Sequence, residues 1–240
     1  MRTRFVLIQP SHAGNVGAAA RALKVMGFDD LVLVKPRWDD VLARDETVER
    51  AGGAVDVLQK ARAVDTLDEA LDGITHACAT VMTPRDFGPP TRTPREHLGP
   101  IAQAGHSVAF LFGSERYGMR NEDVYRCHAA LRIPVSPDYG SLNLAAAIQV
   151  IAYEWRQALG GFEVASPVAA PAADAAAVAG MVQHWEQALV EIGFLDPAAP
   201  KKLMPRLNQL FNRAQPTPEE IHILRGVAKA MAEAARKAKP

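Results

Sequence analysis

Residues 5–34 contain the pattern that most restricts the possible folds of this chain. Phe5 to Ile8 and Leu31 to Val34 are short apolar runs with branched residues, which is typical of buried strands. Between them, SHAGNVGAAARALKVMGF begins with small residues, continues with helical periodicity and ends at Gly27 as a C-cap. A strand, helix and strand within so few residues form a βαβ unit, which implies a parallel sheet.

Three further apolar runs predict three more strands of this α/β fold: His76 to Val81, Ser107 to Phe112, and Leu131 to Val135. The charged segment 37–70 predicts helices on the surface of the sheet. MTPRDFGPPTRTPRE, with its four prolines, predicts a long exposed loop without regular structure. Ligands of open parallel sheets bind beyond the carboxyl ends of the strands, so we expect Thr80, Gly113 and loop 137–143 to converge there.

The stretch from Ile133 to Arg156 reads as a strand end, a stiff loop and a helix. Pro134, Pro137 and Gly140 bend the loop, and Ser141 and Asn143 stand at N-cap positions. The run from Leu142 to Glu154 is apolar at nearly every position, which predicts a helix enclosed by protein on most sides. Taken alone, this stretch fits both an ordinary packed helix and a ligand-binding loop.

Composition changes after Leu159, which divides the chain. We predict a first domain over residues 1–160, a Gly, Pro and Ala-rich linker over 161–173, and a helical extension over 174–240. Residues 201–240 hold nine Lys or Arg against three Glu, which leaves 18 positive and 24 negative side chains in residues 1–200. The basic tail indicates either a polyanionic partner or simply a solvated helical face.

Several functional classes are disfavoured by missing patterns. The glycines run GNVGAAA instead of G-x-G-x-x-G, and neither a phosphate loop nor a G-x-S-x-G elbow occurs. Cys78 and Cys127 lack a CxxC spacing and the seven histidines are scattered, so we expect buried cysteines, no disulfide and no metal. No apolar run is long enough to span a bilayer, and the N-terminus lacks signal-peptide character, so we expect no membrane association and a cytoplasmic location.

Three segments resemble, in order, motifs one, two and three of the SPOUT family of RNA 2′-O-methyltransferases. They are SHAGNVGAAARALKVMGF, FLFGSERYGMRNED and IPVSPDYGSLNLAAAIQVIAYE. The resemblance implies a parallel sheet with helices on both faces and a C-terminal trefoil knot formed by the last of these segments. It also implies S-adenosyl-L-methionine as cofactor and a homodimer with each site near the subunit interface.

The resemblance also implies roles for individual residues. Arg21 and Ser141 correspond to catalytic positions. Cofactor contacts would come from the ends of three strands, namely Ala79, Thr80, Val81, Gly113, Ile133, Ser141, Leu142 and Asn143. From the residues themselves, we expect RNA contacts from Arg21, Arg85, Arg92 and Arg116. Glu115 and Arg116 fit both pairing across a dimer and RNA binding, and for Glu115 we expect a structural salt bridge.

Arginine is a poor free base, so Arg21 is expected to hold a phosphate and to stabilise charge on the 2′-oxygen. In isolation, Arg21 also fits an ordinary surface position on a helix.

The helical end, including FNRAQPTPEEIHILRG, resembles the extension of the bacterial tRNA ribose methyltransferases of this family. That likeness implies tRNA as partner and the ribose of cytidine or uridine at position 32 of the anticodon loop as target. Two other hypotheses remain open at this point. One is a methyltransferase acting on another tRNA or rRNA ribose, and the other is a knotted RNA-binding protein without methyl transfer.

Overall fold

The computed structural model describes residues 2–164 and 170–238. The chain divides into two compact units, Met1–Glu163 and Val164–Pro240. The elements of the first unit are, in chain order, β1 (Thr3–Ile8), α1 (Ala13–Val25), β2 (Leu31–Val34), α2 (Asp45–Ala51), α3 (Val55–Lys60), β3 (Arg62–Val64), α4 (Leu67–Leu71), β4 (His76–Thr80), β5 (Thr91–Arg92), α5 (Pro94–Gln103), β6 (Val108–Phe112), α6 (Asn121–Tyr125), β7 (Ala129–Leu131) and α7 (Leu144–Ala158).

The strands form one sheet in the order β3-β2-β1-β6-β4-β7-β5, and every adjacent pair is parallel. The predicted α/β fold with a parallel sheet is therefore confirmed. Alternate residues of each strand point to opposite faces, so Phe5 and Leu7 enter one core while Val6 and Ile8 enter the other. The first core lies under α1, α5 and α7, and the second lies under α4 and α6. Helices thus cover both faces, as predicted.

Helix α7 is tied to the start of the chain by two side chains. Trp155 is fully buried, and its indole N–H donates to the Thr3 hydroxyl at 2.8 Å. Arg156 donates from Nε to the Met26 carbonyl oxygen at 2.8 Å, where α1 has ended. These bonds fix the second half of α7 against β1 and against the end of α1.

The predicted enclosure of α7 on most sides is wrong. The helix begins at Leu144 rather than Leu142, and its buried residues lie along one side. Tyr153 is 47% exposed, and Leu142 in the preceding loop is 40% exposed. Alanines at Ala145 to Ala147 made the whole run apolar in the sequence, but an apolar residue is not required to be buried.

The prediction of an irregular loop after β4 is wrong in its second half. Strand β5 pairs with β7, and α5 begins at Pro94. Thr93 caps this helix by accepting from the Glu96 backbone N–H, while the Glu96 carboxylate accepts from the Thr93 N–H. A proline in the first turn of a helix needs no N–H partner, so Pro94 starts the helix instead of breaking it.

Two strand predictions also change. Segment 37–70 was predicted as helical, but it contains β3, a three-residue edge strand beside β2. The fifth predicted strand, Leu131 to Val135, is displaced to Ala129–Leu131. Pro134 has no N–H for a sheet ladder, so pairing uses the small residues before it.

The second unit consists of three helices, α8 (Ala175–Glu191), α9 (Leu203–Ala214) and α10 (Pro218–Ala238), within residues 170–238. The predicted helical extension is confirmed. Val178, Met181 and Phe211 belong to its core, and the Trp185 indole N–H donates to the Leu224 carbonyl oxygen at 2.9 Å. Part of the predicted linker, residues 165–169, lies outside the described residues. Across residues 2–164 and 170–238, none of the helices has the length and apolar character that crossing a membrane requires.

Candidate active site

Three strands of the first unit end side by side at one edge of the sheet. Strand β4 lies between β6 and β7. Ala79 pairs with Leu111 of β6, and Thr80 pairs with Leu131 of β7. The Val81 N–H continues the ladder by donating to the Leu131 carbonyl oxygen at 2.9 Å. The carboxyl ends of β4, β6 and β7 therefore form one continuous edge, the place where parallel sheets bind ligands.

Gly113 directly follows β6 and leaves no room for a side chain. A Cβ added there would lie 2.1 Å from the Gly118 carbonyl carbon and 2.2 Å from the Met119 nitrogen. The loop folds back on itself because Ser114 and Gly118 exchange backbone hydrogen bonds of 3.2 and 2.8 Å. Backbone therefore packs on backbone beside the end of β4, which exposes N–H and C=O groups rather than side chains to a ligand.

The loop before α7 is anchored by Asn143. Its Oδ1 accepts from the Ala145 N–H at 2.9 Å, which makes Asn143 the N-cap of α7. The other loop residues predicted to contact cofactor are more open, since Ser141 and Leu142 are exposed and Ile133 is half-buried against the core. Ser141 and Leu142 are thus free to meet a ligand, while Asn143 fixes the end of the loop.

A chain of hydrogen bonds joins the three motifs, and we call it the Glu115 relay. The Glu115 Oε2 atom accepts from the Ser11 N–H at 2.8 Å and from its hydroxyl at 2.6 Å. Oε1 accepts from Asn15 Nδ2 at 2.9 Å, and Asn15 Oδ1 accepts from Asn143 Nδ2 at 3.1 Å. The relay therefore holds the β6 loop, the start of α1 and the loop before α7 in one arrangement.

The pKa of Glu115 reflects this arrangement. Burial raises the pKa of the carboxyl, but the hydrogen bonds from Asn15 and Ser11 lower it, and the net shift is downward. The predicted salt bridge of Glu115 is replaced largely by bonds to uncharged donors, with His12 Nδ1 3.6 Å away. Ser11 was not singled out in the sequence, because a serine 104 positions from its partner gives no local pattern.

Arg21 lies on α1 with its side chain exposed. Among residues 2–164 and 170–238 it has no ion pair and no side-chain hydrogen bond. The relay residue Asn15 lies six positions earlier on the same helix, so Arg21 stands about 9 Å further along the axis. The guanidinium is consequently available to an external anion.

The three other predicted RNA-binding arginines lie at the same edge of the sheet. Arg92 pairs with Leu131 at the end of β5 and is exposed. Arg116 follows Glu115 and stacks its guanidinium over the Tyr117 ring, 5.2 Å from the ring centroid. Arg85 donates from Nη1 to the Thr83 hydroxyl at 2.8 Å, while its Nε is buried and has no partner among the described residues. Positive charge thus surrounds the strand ends.

The fit of these residues to a bound cofactor is supported by Thr80. Its hydroxyl oxygen is buried and has no hydrogen-bond partner among the described residues. A buried hydroxyl without a partner is unfavourable, and it lies at the strand end beside the tight Gly113 turn. One hydroxyl, exposed backbone groups and small residues are suited to a ligand held mainly through the main chain.

A further depression of this unit lies away from the strand ends. A cavity of about 310 Å³ is lined by Arg95, Leu98, Tyr153 and Glu154, between α5 and the second half of α7. Arg95 forms an ion pair with Glu154 at 2.6 Å there. Because the cavity lies more than two turns from Asn143, and its charged groups already pair, the strand ends are the better candidate for the active site.

Two models of known protein families match the chain. Residues 2–153 match the model of the SpoU rRNA Methylase family, and residues 176–240 match the C-terminal domain of the tRNA methyltransferase TrmJ. The chain belongs to the SpoU methylase family, a class of methyltransferases, so the resemblance identified from the three motifs is confirmed.

Within that class the chain is similar to TrmJ proteins over nearly its whole length. It is 41% identical to the tRNA (cytidine/uridine/adenosine-2′-O-)-methyltransferase TrmJ of Pseudomonas aeruginosa, over 94% of this chain and 92% of the relative. It is 42% identical to the tRNA (cytidine/uridine-2′-O-)-methyltransferase TrmJ of Klebsiella pneumoniae, over 93% of both. The crystal structure of TrmJ from Z. mobilis has a TM-score of 0.82 and 31% identity, with 97% of this chain and 100% of that chain covered.

Proposed function

We propose that this protein methylates the ribose 2′-hydroxyl of cytidine or uridine at position 32 of the tRNA anticodon loop, using S-adenosyl-L-methionine. The observation that carries the proposal is the Glu115 relay. It joins the start of α1 and the loops after β6 and β7, which carry the three motifs, into one site beside the carboxyl end of β4. The TrmJ relatives, similar over nearly the whole chain, support the choice of a tRNA ribose.

The cofactor would be held at the strand ends. When bound, S-adenosyl-L-methionine supplies an electrophilic methyl group. Backbone groups of the first and third loops would contact it, at Ala79, Thr80, Val81, Ile133, Ser141, Leu142 and Asn143. Thr80 would donate or accept the hydrogen bond that its buried hydroxyl lacks. Gly113 would keep the second loop close enough for main-chain contact.

Arg21 and Ser141 would act on the RNA. The guanidinium of Arg21 stays protonated, so its role is to bind the neighbouring phosphate and to stabilise negative charge on the 2′-oxygen as the hydroxyl loses its proton. Its side chain is exposed and has no ion pair within the described part of the chain, which suits that role. The Ser141 hydroxyl, also exposed, would orient the ribose by hydrogen bonding.

RNA affinity would come mostly from phosphate contacts. Arg85, Arg92 and Arg116 lie at the edge of the sheet beside the site, and residues 201–240 carry an excess of six positive charges. Such contacts position an RNA without reading its sequence. We therefore propose tRNA as the partner, with a steep dependence of binding on salt concentration.

We propose a homodimer in the cytoplasm, where unmodified tRNA is present. Val25 on α1 and Tyr153 on α7 are 56% and 47% exposed, so both helices present apolar side chains that a second copy could cover. Light scattering coupled to size-exclusion chromatography measures the mass directly. A monomeric mass at the concentrations used for catalysis would contradict the dimer.

The test of function is nucleoside analysis of an unmodified tRNA transcript after incubation with the purified chain and S-adenosyl-L-methionine. We expect 2′-O-methylcytidine or 2′-O-methyluridine at position 32. Arg21→Ala should reduce the rate about 100-fold or more, as removal of a charge-stabilising donor commonly does. Its cofactor affinity should stay close to wild type in calorimetry, and Arg50→Ala, an exposed arginine on α2, is the matched control.

Three outcomes would contradict parts of the proposal. Methylation only of rRNA, or at another tRNA ribose, would refute the substrate. Cofactor binding without any methylation would favour an RNA-binding protein of the same fold. Transcripts with cytidine, uridine or adenosine at position 32 measure the base range, because the names of the two TrmJ relatives differ in whether adenosine is included.

A further inference from the structure

Four of the seven histidines gather at the edge of the sheet opposite to the candidate active site. His76 begins β4, and the rings of His97, His106 and His128 surround it with centroid distances of 5.3, 5.3 and 4.9 Å. Thr80, in contrast, ends the same strand at the active-site edge. None of these histidines has a role in the proposed methyl transfer.

The closest pair within this cluster has the spacing of two ligands on one ion. His76 Nε2 and His97 Nε2 are 3.0 Å apart. Cys78 lies two residues after His76 on the same strand, so both side chains point to the same face. The donor atoms of His76, Cys78 and His97 all lie within 4.8 Å of one another, and His76 and Cys78 are buried.

We propose that His76, Cys78 and His97 bind one divalent transition-metal ion of the zinc class. Imidazole nitrogen and thiolate sulfur are the ligands that zinc prefers, with bonds of about 2.0 to 2.1 Å and about 2.3 Å in tetrahedral geometry. Those bond lengths place two imidazole nitrogens about 3.3 Å apart, close to the separation of the pair. The Cys78 thiol must approach further, which a side-chain rotation provides, and its proton passes to solvent on binding.

Neighbouring groups limit the movement of the proposed ligands. The His128 ring stacks on His76 at an interplanar angle of 30°, and it is held by accepting from the Ala77 N–H at 3.0 Å. His97 follows Glu96, whose capping box with Thr93 fixes the first turn of α5. Ring stacking and a fixed helix start therefore hold the two imidazoles near each other before an ion binds.

An ion at this position would join β4 to α5. These two elements flank the segment 81–93, which carries Arg85 and Arg92 beside the candidate active site. The ion would therefore stabilise the two elements that flank this segment, and it would take no part in methyl transfer. Binding to the folded chain alone should raise the melting temperature as metal concentration rises.

Cobalt is the probe for the experiment because it reports ligand type and geometry in its absorption spectrum. The full chain, treated with a chelator and then dialysed, is titrated with Co²⁺. We expect saturation at one equivalent, with the intense visible bands of a four-coordinate ion and a near-ultraviolet band from thiolate. One equivalent of Zn²⁺ should displace the cobalt and raise the melting temperature.

Matched variants assign the ligands. His97→Gln should abolish saturable binding, whereas His222→Gln, an exposed histidine of the second unit, should leave it unchanged. Cys78→Ala, a small apolar replacement for a core position, should remove the thiolate band, whereas Cys127→Ala should retain it. Circular dichroism of each variant shows whether it is folded.

Two results of the cobalt titration would contradict the proposed metal site. The His76–His97 contact also fits a simple N–H···N hydrogen bond between neutral rings, and in that case no cobalt bands develop beyond those of the free ion. Absence of saturable binding overturns the site. Binding that persists in both His97→Gln and Cys78→Ala overturns it as well. Neither result bears on the proposed methyl transfer, which is measured separately.

Discussion

Replacing Glu115 with glutamine should break the relay while keeping the size of the side chain. Glutamine has one oxygen and one NH₂ group. If the oxygen accepts from Ser11, the NH₂ faces the NH₂ of Asn15. Rotating the Asn15 amide removes that conflict but turns its NH₂ toward Asn143 Nδ2. Each arrangement therefore loses at least one of the bonds that join the three motif loops.

The expected loss of stability in Glu115→Gln follows from the burial and the charge of the Glu115 side chain. The Glu115 side chain is 14% exposed, so solvent screens its bonds only weakly. Hydrogen bonds to a charged group contribute about 1.5 to 3 kcal/mol, and neutral ones about 0.5 to 1.5 kcal/mol. We expect Glu115→Gln to lower the free energy of unfolding by about 1 to 3 kcal/mol. A loss of about 1 kcal/mol in ordering the loop before α7 would weaken cofactor binding about fivefold.

The stability difference between wild type and Glu115→Gln should decrease as the pH is lowered. Because the folded pKa of Glu115 is below its ordinary value of 4.5, ionisation stabilises the folded state at pH values above that value. This contribution is lost as pH falls through the folded pKa. A protonated Glu115 resembles glutamine, so the difference between wild type and variant should shrink as the solution is acidified below about pH 4.5.

Urea unfolding at neutral pH, and at decreasing pH while both proteins remain folded, measures this difference. Calorimetry with S-adenosyl-L-methionine measures the cofactor affinity. Glu122→Gln is the control, since Glu122 forms an exposed pair with Arg120 and should change stability by less than about 1 kcal/mol. A stability loss no larger than that of the control, or one that stays constant down to acid pH, would refute the assigned role of Glu115.

Three substitutions test the packing around the site. Gly113→Ala places a Cβ 2.1 Å from Gly118 backbone, so calorimetry should show at least tenfold weaker cofactor binding, on the order of 1.4 kcal/mol. Gly53→Ala, with nothing within 4 Å of its Cβ and no positive φ, should leave cofactor binding unchanged. Thr80→Val should weaken cofactor binding without lowering the melting temperature, because the hydroxyl it removes has no partner within residues 2–164 and 170–238. A lower melting temperature would contradict this. In Gly17→Ala the new Cβ would lie 2.0 Å from the Thr47 carbonyl oxygen. The free energy of unfolding in urea should therefore fall by about 1 to 3 kcal/mol. Gly99→Ala, at an open position of a helix, should raise the free energy of unfolding by about 0.5 to 1 kcal/mol. An equal change in stability for Gly17→Ala and Gly99→Ala would contradict the steric argument.

The parallel sheet, and the location of the candidate site at the carboxyl ends of its strands, were predictable because both follow from local sequence patterns. The βαβ pattern from Phe5 to Val34 specifies parallel pairing, and strand polarity then places Thr80 beside Gly113. The start of α5 was missed because Pro94 was judged by composition rather than by its position after the capping residue Thr93.

Other features depend on contacts that leave no local pattern. Ser11 meets Glu115 across 104 positions of sequence, and the histidines at 76, 97, 106 and 128 come from four separate segments. The one-sided burial of α7 was also not predictable, since apolar residues such as Ala146 and Tyr153 lie on its exposed side. Only the assembled sheet decides which of them lie inside.

The bond between the Trp155 indole and the Thr3 hydroxyl has a consequence for how the chain reaches its native state. The two residues are 152 positions apart, so β1 cannot complete its core until α7 has been synthesised. Contacts of such separation slow folding, because a long loop must close before any of its contacts form. During synthesis on the ribosome, the N-terminal βαβ unit should therefore stay partly structured, with apolar surface exposed. Its folding should be completed only when nearly the whole first unit has emerged.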